Sequence, residues 1–304
     1  MATTLSNVER PATIVFAATD LSASSNEALR QAHERARSEG SALIVCHVVP
    51  NHTNLGTIFE HPTQEQTEEQ VLHSVIERTC QATGRVASEF QAVVDRGDPY
   101  SRIVERAEQL RADIIVVGHR SGAGFSRLVG HVAERVTRYA RSAVLIARPC
   151  AKTGRMLVAT DLTDPSLPAI GAAAREAHRS RAQVTALHCV EPAPAFAGTE
   201  YALACSPAEI REFTEQVRDT AQRDLGNALR RFELQGHRRI VEGAPSSSIL
   251  KTAEELGVEL IILGTRGRTG LRRLLLGSVA EKVIRHARCS VLVVRLTEGP
   301  ILRA

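Results

Sequence analysis

The most constraining feature of this sequence is that it repeats itself: segments of the first half recur in the second half, in the same order. The separation between matching segments is 141 residues at the ATDLS motif and 147 residues near the end of each copy. Chance similarity of composition would not preserve order and spacing in this way, so the chain is a tandem duplication of one unit. The matching pairs are residues 18–22 with 159–163, 95–118 with 241–264, and 132–147 with 279–294.

Each copy alternates short apolar runs with amphipathic stretches, which is the pattern of an α/β domain. The apolar runs, such as TIVFAA and ALIVCHVV, predict five strands per copy that are buried on both faces. The stretches between them predict helices, including one over residues 63–82 and one that starts at Pro99. We therefore predict two domains, residues 1–150 and 151–304, each with a five-stranded parallel sheet and helices on both faces.

The composition does not indicate a nucleic-acid or membrane partner. The net charge is only +4, and arginines alternate with acids along the predicted helices, as in REFTEQVRDTAQRDL. Aromatic side chains, which stack on bases in many nucleic-acid-binding proteins, make up 3% of the chain. No apolar run approaches the roughly 18 residues that a membrane span needs, and the N-terminus lacks the pattern of a secretory leader. We therefore expect a cytoplasmic protein.

A loop rich in glycine and arginine, GTRGRTGLRRLLLGS, follows the fourth predicted strand of the second copy. Glycines let the backbone approach a ligand closely, and the unpaired N–H groups at a helix start favour phosphate. Arginine side chains can add bidentate phosphate contacts. The pattern predicts an anion-binding loop whose candidate residues are Gly264, Arg266, Gly267, Arg268, Gly277 and Ser278.

Structural alternatives stay open for the same loop. Ser278 and Glu281 have the spacing of an S-x-x-E capping box, which would serve helix stability alone. The glycines could serve only to make a turn, and Arg266 and Arg268 could be solvated surface residues.

The order of a strand, G-x-x-G, nine residues and G-S at a helix start resembles the ATP-binding motif of the universal stress protein family. ATDLT, LHCV, EGAPSSSI and CSVLVV also resemble recurring segments of that family, so the resemblance covers essentially the whole chain. It implies a Rossmann-like fold of the adenine nucleotide α-hydrolase type for both domains. It also implies ATP as the ligand of the second domain and leaves open whether Mg²⁺ accompanies it.

The resemblance further implies roles for single residues of the second copy. Asp161 would lie near the sugar and the metal of the nucleotide, and the backbone at Val184 would bond to the adenine. An Asx-type turn is the structural alternative for Asp161. The phosphates would be held by Gly264, Gly267, Gly277, Ser278 and the amide of Val279.

The first copy departs from this motif. Its loop, residues 118–131, is one residue shorter between the aligned glycines. Ser121 stands in place of the second glycine, and His131 replaces the serine that ends the motif. Asp20 and Leu43 still occupy the aspartate and adenine-strand positions. We therefore predict that the first domain binds ATP poorly or not at all.

The last apolar runs, AVLIA and SVLVV, should each form an edge strand. In similar proteins these strands pair antiparallel across a dimer, so we predict an intrachain pseudo-dimer and leave a further homodimer open. The predicted function is a stress-response regulator that binds ATP and acts on an unidentified protein partner. Because no residue stands out as a catalytic base, we expect slow ATP hydrolysis at most. A nucleotide-free interaction scaffold and an adenine nucleotide α-hydrolase-type enzyme are the alternatives.

Overall fold

The computed structural model describes residues 13–51, 67–119, 130–190, 206–265 and 276–295. Three residues of the predicted anion-binding loop, Arg266, Gly267 and Arg268, lie outside the described residues. Ser121 of the first copy also lies outside them. None of the described helices is long and apolar enough to cross a membrane.

In the described residues of the first half, five strands alternate with four helices, and two short 3₁₀ turns occur at residues 23–25 and 87–89. In chain order these elements are β1 (Ile14–Thr19), α1 (Asn26–Glu39), β2 (Ala42–Val49), α2 (Glu68–Thr83), β3 (Gln91–Arg96), α3 (Pro99–Leu110), β4 (Ile114–Gly118), α4 (His131–Tyr139) and β5 (Ala143–Ala147).

The second half repeats the same order over its own described residues. Its elements are β6 (Arg155–Ala159), α5 (Pro168–Ser180), β7 (Gln183–Val190), α6 (Pro207–Arg231), β8 (His237–Glu242), α7 (Pro245–Leu256), β9 (Leu260–Gly264), α8 (Ser278–His286) and β10 (Ser290–Val294).

Short local signals determine where several helices begin and end. Helix α3 starts at Pro99 as predicted, and the Asp98 carboxylate before it accepts a hydrogen bond from the Ser101 N–H at 3.3 Å. The helix predicted over 63–82 is described from Glu68, because the residue before it, Thr67, forms a capping box with Gln70.

The ten strands form one continuous sheet in the order β3-β2-β1-β4-β5-β10-β9-β6-β7-β8. All pairs within each half are parallel, whereas β5 and β10 pair antiparallel, with Leu145 opposite Leu292. The predicted fold class and the predicted pairing of the last strands are thus confirmed. Because β5 and β10 are antiparallel, the strands of the two halves point in opposite directions. Their carboxyl ends therefore lie at opposite edges of the common sheet.

Helices cover both faces of this sheet. Side chains alternate between the faces along each strand, so Val15 and Ala17 belong to one core layer and Phe16 to the other. Helices α1, α2, α5 and α6 pack on the first layer, and α3, α4, α7 and α8 pack on the second. Each layer contains residues of both halves, so the core continues across the seam between β5 and β10.

An arginine after each of these last strands reaches the other half. Arg148 follows β5 and donates to the carbonyl of Ile284, near the end of α8. Arg295 follows β10 and donates at 2.7 Å to the carbonyl of Thr137, near the end of α4. A cation there satisfies the free carbonyls and the negative pole of a helix end. The two contacts are equivalent under the duplication, so the seam has a pseudo-twofold axis.

Candidate functional site

The carboxyl ends of β6 and β9 lie side by side where the strand order of the second half reverses direction. The chain continues from β6 to β7 and β8 on one side, whereas β9 and β10 lie on the other side. Ala159 pairs with Leu263, so Asp161 and Gly264 emerge at the same edge of the sheet. In open α/β sheets such a switch point forms a crevice that is the usual position of a ligand site.

The turn after β6 holds Asp161 in a defined orientation. Its Oδ1 accepts hydrogen bonds from the Thr163 N–H at 3.0 Å and from the Thr163 hydroxyl at 2.6 Å. Leu162 between them has a φ of +64°, in the left-handed region that branched residues rarely adopt. The Asx-type turn considered for Asp161 is therefore present. This turn places the carboxylate at the crevice, so the structural role and a ligand role are compatible.

A second set of hydrogen bonds supports this turn from below. The Thr160 and Ser166 hydroxyls are 2.8 Å apart, and His188 Nδ1 donates to the Thr160 carbonyl at 2.9 Å. His188 is buried. The histidine is thus a packed, hydrogen-bonded residue.

Helix α8 starts at the same edge. Its N-cap is not Ser278, the residue that the capping-box alternative requires. Gly277 occupies the N-cap position and Ser278 is the first helical residue. The capping box proposed for Ser278 and Glu281 is therefore wrong, because the Glu281 N–H instead donates to the Gly277 carbonyl at 2.9 Å. Ser278 is exposed. Within the described part of the chain its hydroxyl has no hydrogen-bond partner, so it is available beside the free N–H groups of the first turn, including that of Val279.

Two backbone hydrogen bonds close the base of the loop between β9 and α8. The N–H of Thr265 donates to the Val294 carbonyl at 3.0 Å, and the N–H of Gly277 donates to the Thr265 carbonyl at 2.8 Å. These bonds hold the start of α8 against the end of β9. The structure therefore brings Gly264, Gly277, Ser278, Val279 and Asp161 to one edge.

Val184 is not part of this edge. It is the second residue of β7, is buried, and pairs with Met156 near the start of β6. The residue of β7 that comes level with Asp161 is Cys189, since Leu187 pairs with Ala159. Cys189 lies five positions beyond Val184 along the strand, which corresponds to about 16 Å. The structure therefore does not bring Val184 to this edge, and Cys189 is the β7 residue that lies there.

Cys189 is half-buried, and its thiol is protonated at neutral pH. Burial raises the pKa of Cys189 to about 11, although a hydrogen bond from the Ser248 hydroxyl lowers it in part. A neutral thiol is a weak nucleophile and a weak metal ligand. Among the described residues, no group of three or more His, Cys, Asp or Glu side chains lies together as a metal site would need.

The first half builds the turn after β1 with the same bonds. Asp20 Oδ1 accepts the N–H of Ser22 at 3.0 Å, Leu21 has a φ of +62°, and His47 Nδ1 donates to the Thr19 carbonyl at 2.9 Å. Each of these contacts has its counterpart in the second half. The aspartate turn is therefore a shared structural element of the duplicated unit.

The first half also repeats the base of the loop and the start of the helix. The Gly130 N–H donates to the His119 carbonyl at 2.8 Å, and Gly130 caps α4 with the same backbone angles as Gly277. The side chain that follows is an exposed histidine, His131, where the second half has Ser278. Leu43 lies near the start of β2, as Val184 does in β7, and is likewise away from the edge.

Comparison with known proteins identifies similar chains that cover either about half of this chain or nearly all of it. The model of the universal stress protein family matches residues 12–148 and again residues 152–295. A universal stress protein of Methanocaldococcus jannaschii is 36% identical over 146 residues, which cover 46% of this chain and 81% of that protein. A universal stress protein of Bacillus subtilis is 34% identical over 145 residues, which cover 46% of this chain and 98% of that protein.

A solved structure resembles both halves together. The crystal structure of a universal stress protein from Archaeoglobus fulgidus covers 93% of this chain and 98% of its own, with a TM-score of 0.63 and 25% identity.

Proposed function

This chain belongs to the universal stress protein family, and from that premise we propose that it is a stress-response regulator that binds one ATP in its second half and little or none in its first. Two observations support the proposal. The glycine loop of the second half resembles the ATP-binding motif of the family, and the two halves present different side chains at equivalent helix starts.

The observation that carries the proposal is the position of Ser278. Its hydroxyl is not used to cap α8, it is exposed, and it lies beside free backbone N–H groups at a switch point of the sheet. Among the described residues, this hydroxyl makes no hydrogen bond that would stabilise the helix end. Hydroxyl and N–H donors at a positive helix end instead fit a phosphate group.

The donor set fits a nucleoside triphosphate. Ser278 and the amide of Val279 would hold phosphate oxygens together with the backbone at Gly264 and Gly277. Asp161 would face the ribose, and the adenine would lie over the carboxyl end of β7 at Cys189. Arg266, Gly267 and Arg268 would complete the site from the loop, and Mg²⁺ is assigned no ligand beyond Asp161.

Bound ATP would act as an effector and not as a substrate. The triphosphate would connect the sheet edge to the loop between β9 and α8, and so would change a surface that a partner protein contacts. The proposal assigns no catalytic residue, because phosphoryl transfer needs a positioned base or water-orienting group and charge clamps.

The test starts with nucleotide extracted from freshly purified protein and identified by mass spectrometry. Titration calorimetry with ATP then compares Ser278→Ala with His131→Ala, the same kind of truncation at the equivalent position. We expect Ser278→Ala to weaken ATP binding by about tenfold, because one hydrogen bond to a charged oxygen is lost. His131→Ala should leave the affinity unchanged. Protein that neither carries nor binds nucleotide would refute the proposal and favour a scaffold.

A further inference from the structure

One buried charge pair breaks the symmetry of the seam between the halves. Leu145 and Leu292, which pair at the seam, are equivalent residues of the two copies, so residues near the axis face their own counterparts. Arg35 in α1 and Glu176 in α5 are such counterparts. They are in direct contact, with the Arg35 guanidinium donating to the Glu176 carboxylate. The duplicated unit thus has a cation at this position in one copy and an anion in the other.

Both members of the pair are removed from solvent. The side chains of Arg35 and Glu176 are 9% and 4% exposed. Glu39 lies 2.9 Å from Arg35, and Arg179 lies 2.6 Å from Glu176, so four charges of alternating sign form one cluster. Burial acts to raise the pKa of Glu176, but the charges and hydrogen bonds of Arg35 and Arg179 outweigh it and hold that pKa below its usual value. Glu176 is therefore ionised at neutral pH.

The opposite face of the seam is different because it is self-complementary. Glu134 and Arg138 of α4 are the counterparts of Glu281 and Arg285 of α8. Arg285 contacts Glu134 at 3.3 Å, and Arg138 contacts Glu281 at 3.6 Å. Each helix carries both signs, so these contacts would form equally well between two copies of the same half. They do not distinguish one partner from another.

We infer that the Arg35–Glu176 pair selects the partner of each half, so that a first half pairs with a second half and not with another first half. Two first halves would bring two buried Arg35 side chains together, and two second halves would bring two Glu176 side chains together. A buried charge without an opposite partner is strongly unfavourable.

The selection has a consequence for the assembly. Pairing of like halves between chains would leave a free seam at each end and would link chains into open assemblies. Pairing of unlike halves closes within one chain. The charge pair therefore favours closure of the seam within one chain, and this inference does not depend on whether either edge binds ATP.

Charge inversions in the full-length chain test the inference. The first-half inversion is Arg35→Glu with Glu39→Arg, and the second-half inversion is Glu176→Arg with Arg179→Glu. Each alone puts two like charges at the axis, while the two together restore opposite charges at every contact of the cluster. Arg37→Glu, an exposed position on the same helix, is the matched control.

The readouts are hydrogen exchange of β5 and β10 and native mass spectrometry. We expect about a hundredfold or greater acceleration of seam exchange in each single-half inversion, with β1 exchange unchanged as evidence of folding. Exchange in the double inversion and in Arg37→Glu should match the parent chain. Mixing the two single-half inversions should give a one-to-one mixed dimer. Parent-like seam exchange in the single-half inversions, equally fast exchange in the double inversion, or the absence of a mixed dimer would overturn the inference.

Discussion

The two equivalent sheet edges of this molecule share the backbone of their described turns and helix starts and differ in the side chains that this backbone presents. Both halves have the aspartate turn, the packed histidine and the glycine that caps the following helix. They differ at the first residue of that helix, which is His131 in one half and Ser278 in the other. The shared bonds stabilise the fold and are therefore uninformative about ligands. The differing residues are where a difference in function must lie.

Replacing Ser278 by histidine, the residue at the equivalent position of the first half, should have the largest effect on ATP binding. Ser278→His should weaken ATP binding by about a hundredfold, because a charge-assisted hydrogen bond is lost and the larger ring occupies the helix start. Titration calorimetry measures the effect, and circular dichroism checks that the fold is kept. An unchanged affinity in a folded Ser278→His protein would mean that the phosphates do not contact this helix.

Arg148 and Arg295, which follow the last strand of each half and contact the other half, allow the two halves to be compared in their effect on the free energy of unfolding. Arg148 is buried and donates to the carbonyls of Ile284 and Cys289, whereas its counterpart Arg295 is half-buried. Burial lowers the pKa of Arg148 to about 10, so the side chain remains a cation at neutral pH. Arg148→Ala should cost about 2 kcal/mol, since it leaves buried carbonyls without a donor, and Arg295→Ala about 1 kcal/mol.

Chemical denaturation measures both arginine variants, with Arg141→Ala as the control because the side chain of Arg141 is 85% exposed. Equal losses of stability for Arg148→Ala and Arg295→Ala would show that the difference in burial does not matter.

Much of this architecture could be predicted from the sequence because the repeat and the apolar runs report local structure. The five strands per half and the helices on both faces follow from those patterns, whereas the pairing of the last strands was implied by the family resemblance. The helix position of Ser278 and the strand position of Val184 did not follow. Whether a residue is the cap or the first helical residue depends on backbone angles, and the LHCV run does not mark which of its residues reaches the edge.

The contact between Arg35 and Glu176 could not be predicted from local sequence patterns either. Glu176 is 141 residues away, and only the fold brings the two helices together. A signal was nevertheless present, because alignment of the two copies places an arginine opposite a glutamate within otherwise similar helices. The fold is still needed to show that these two positions, unlike other aligned positions with reversed charge, lie at the axis.

Acid should weaken the seam. The folded-state pKa of Glu176 is lowered from its ordinary value of 4.5, so its contribution is complete above that value and is lost as the pH falls below it. The groups that face it are Arg35 and Glu39 of α1 and Arg179 of its own helix. Hydrogen exchange of β10 across this range should accelerate in the parent chain. In Glu176→Gln the seam should already be weaker at neutral pH and should change less with acid.

The smallest effect is expected for the reverse exchange in the first half. His131→Ser should raise the ATP affinity of that half by less than about threefold, because its loop remains one residue shorter than the loop of the second half. The measurement uses the Ser278→His background, in which the second half no longer dominates the signal. Strong ATP binding by this double variant would mean that the side chain alone separates the two sites.

The most direct test of the account is the number of ATP molecules bound per chain, measured by equilibrium dialysis at saturating nucleotide. One ATP per chain is expected, with the site weakened by Ser278→His and unaffected by His131→Ala. Two ATP molecules per chain would contradict the difference between the halves. No bound ATP would contradict the assignment of the second half as a nucleotide site.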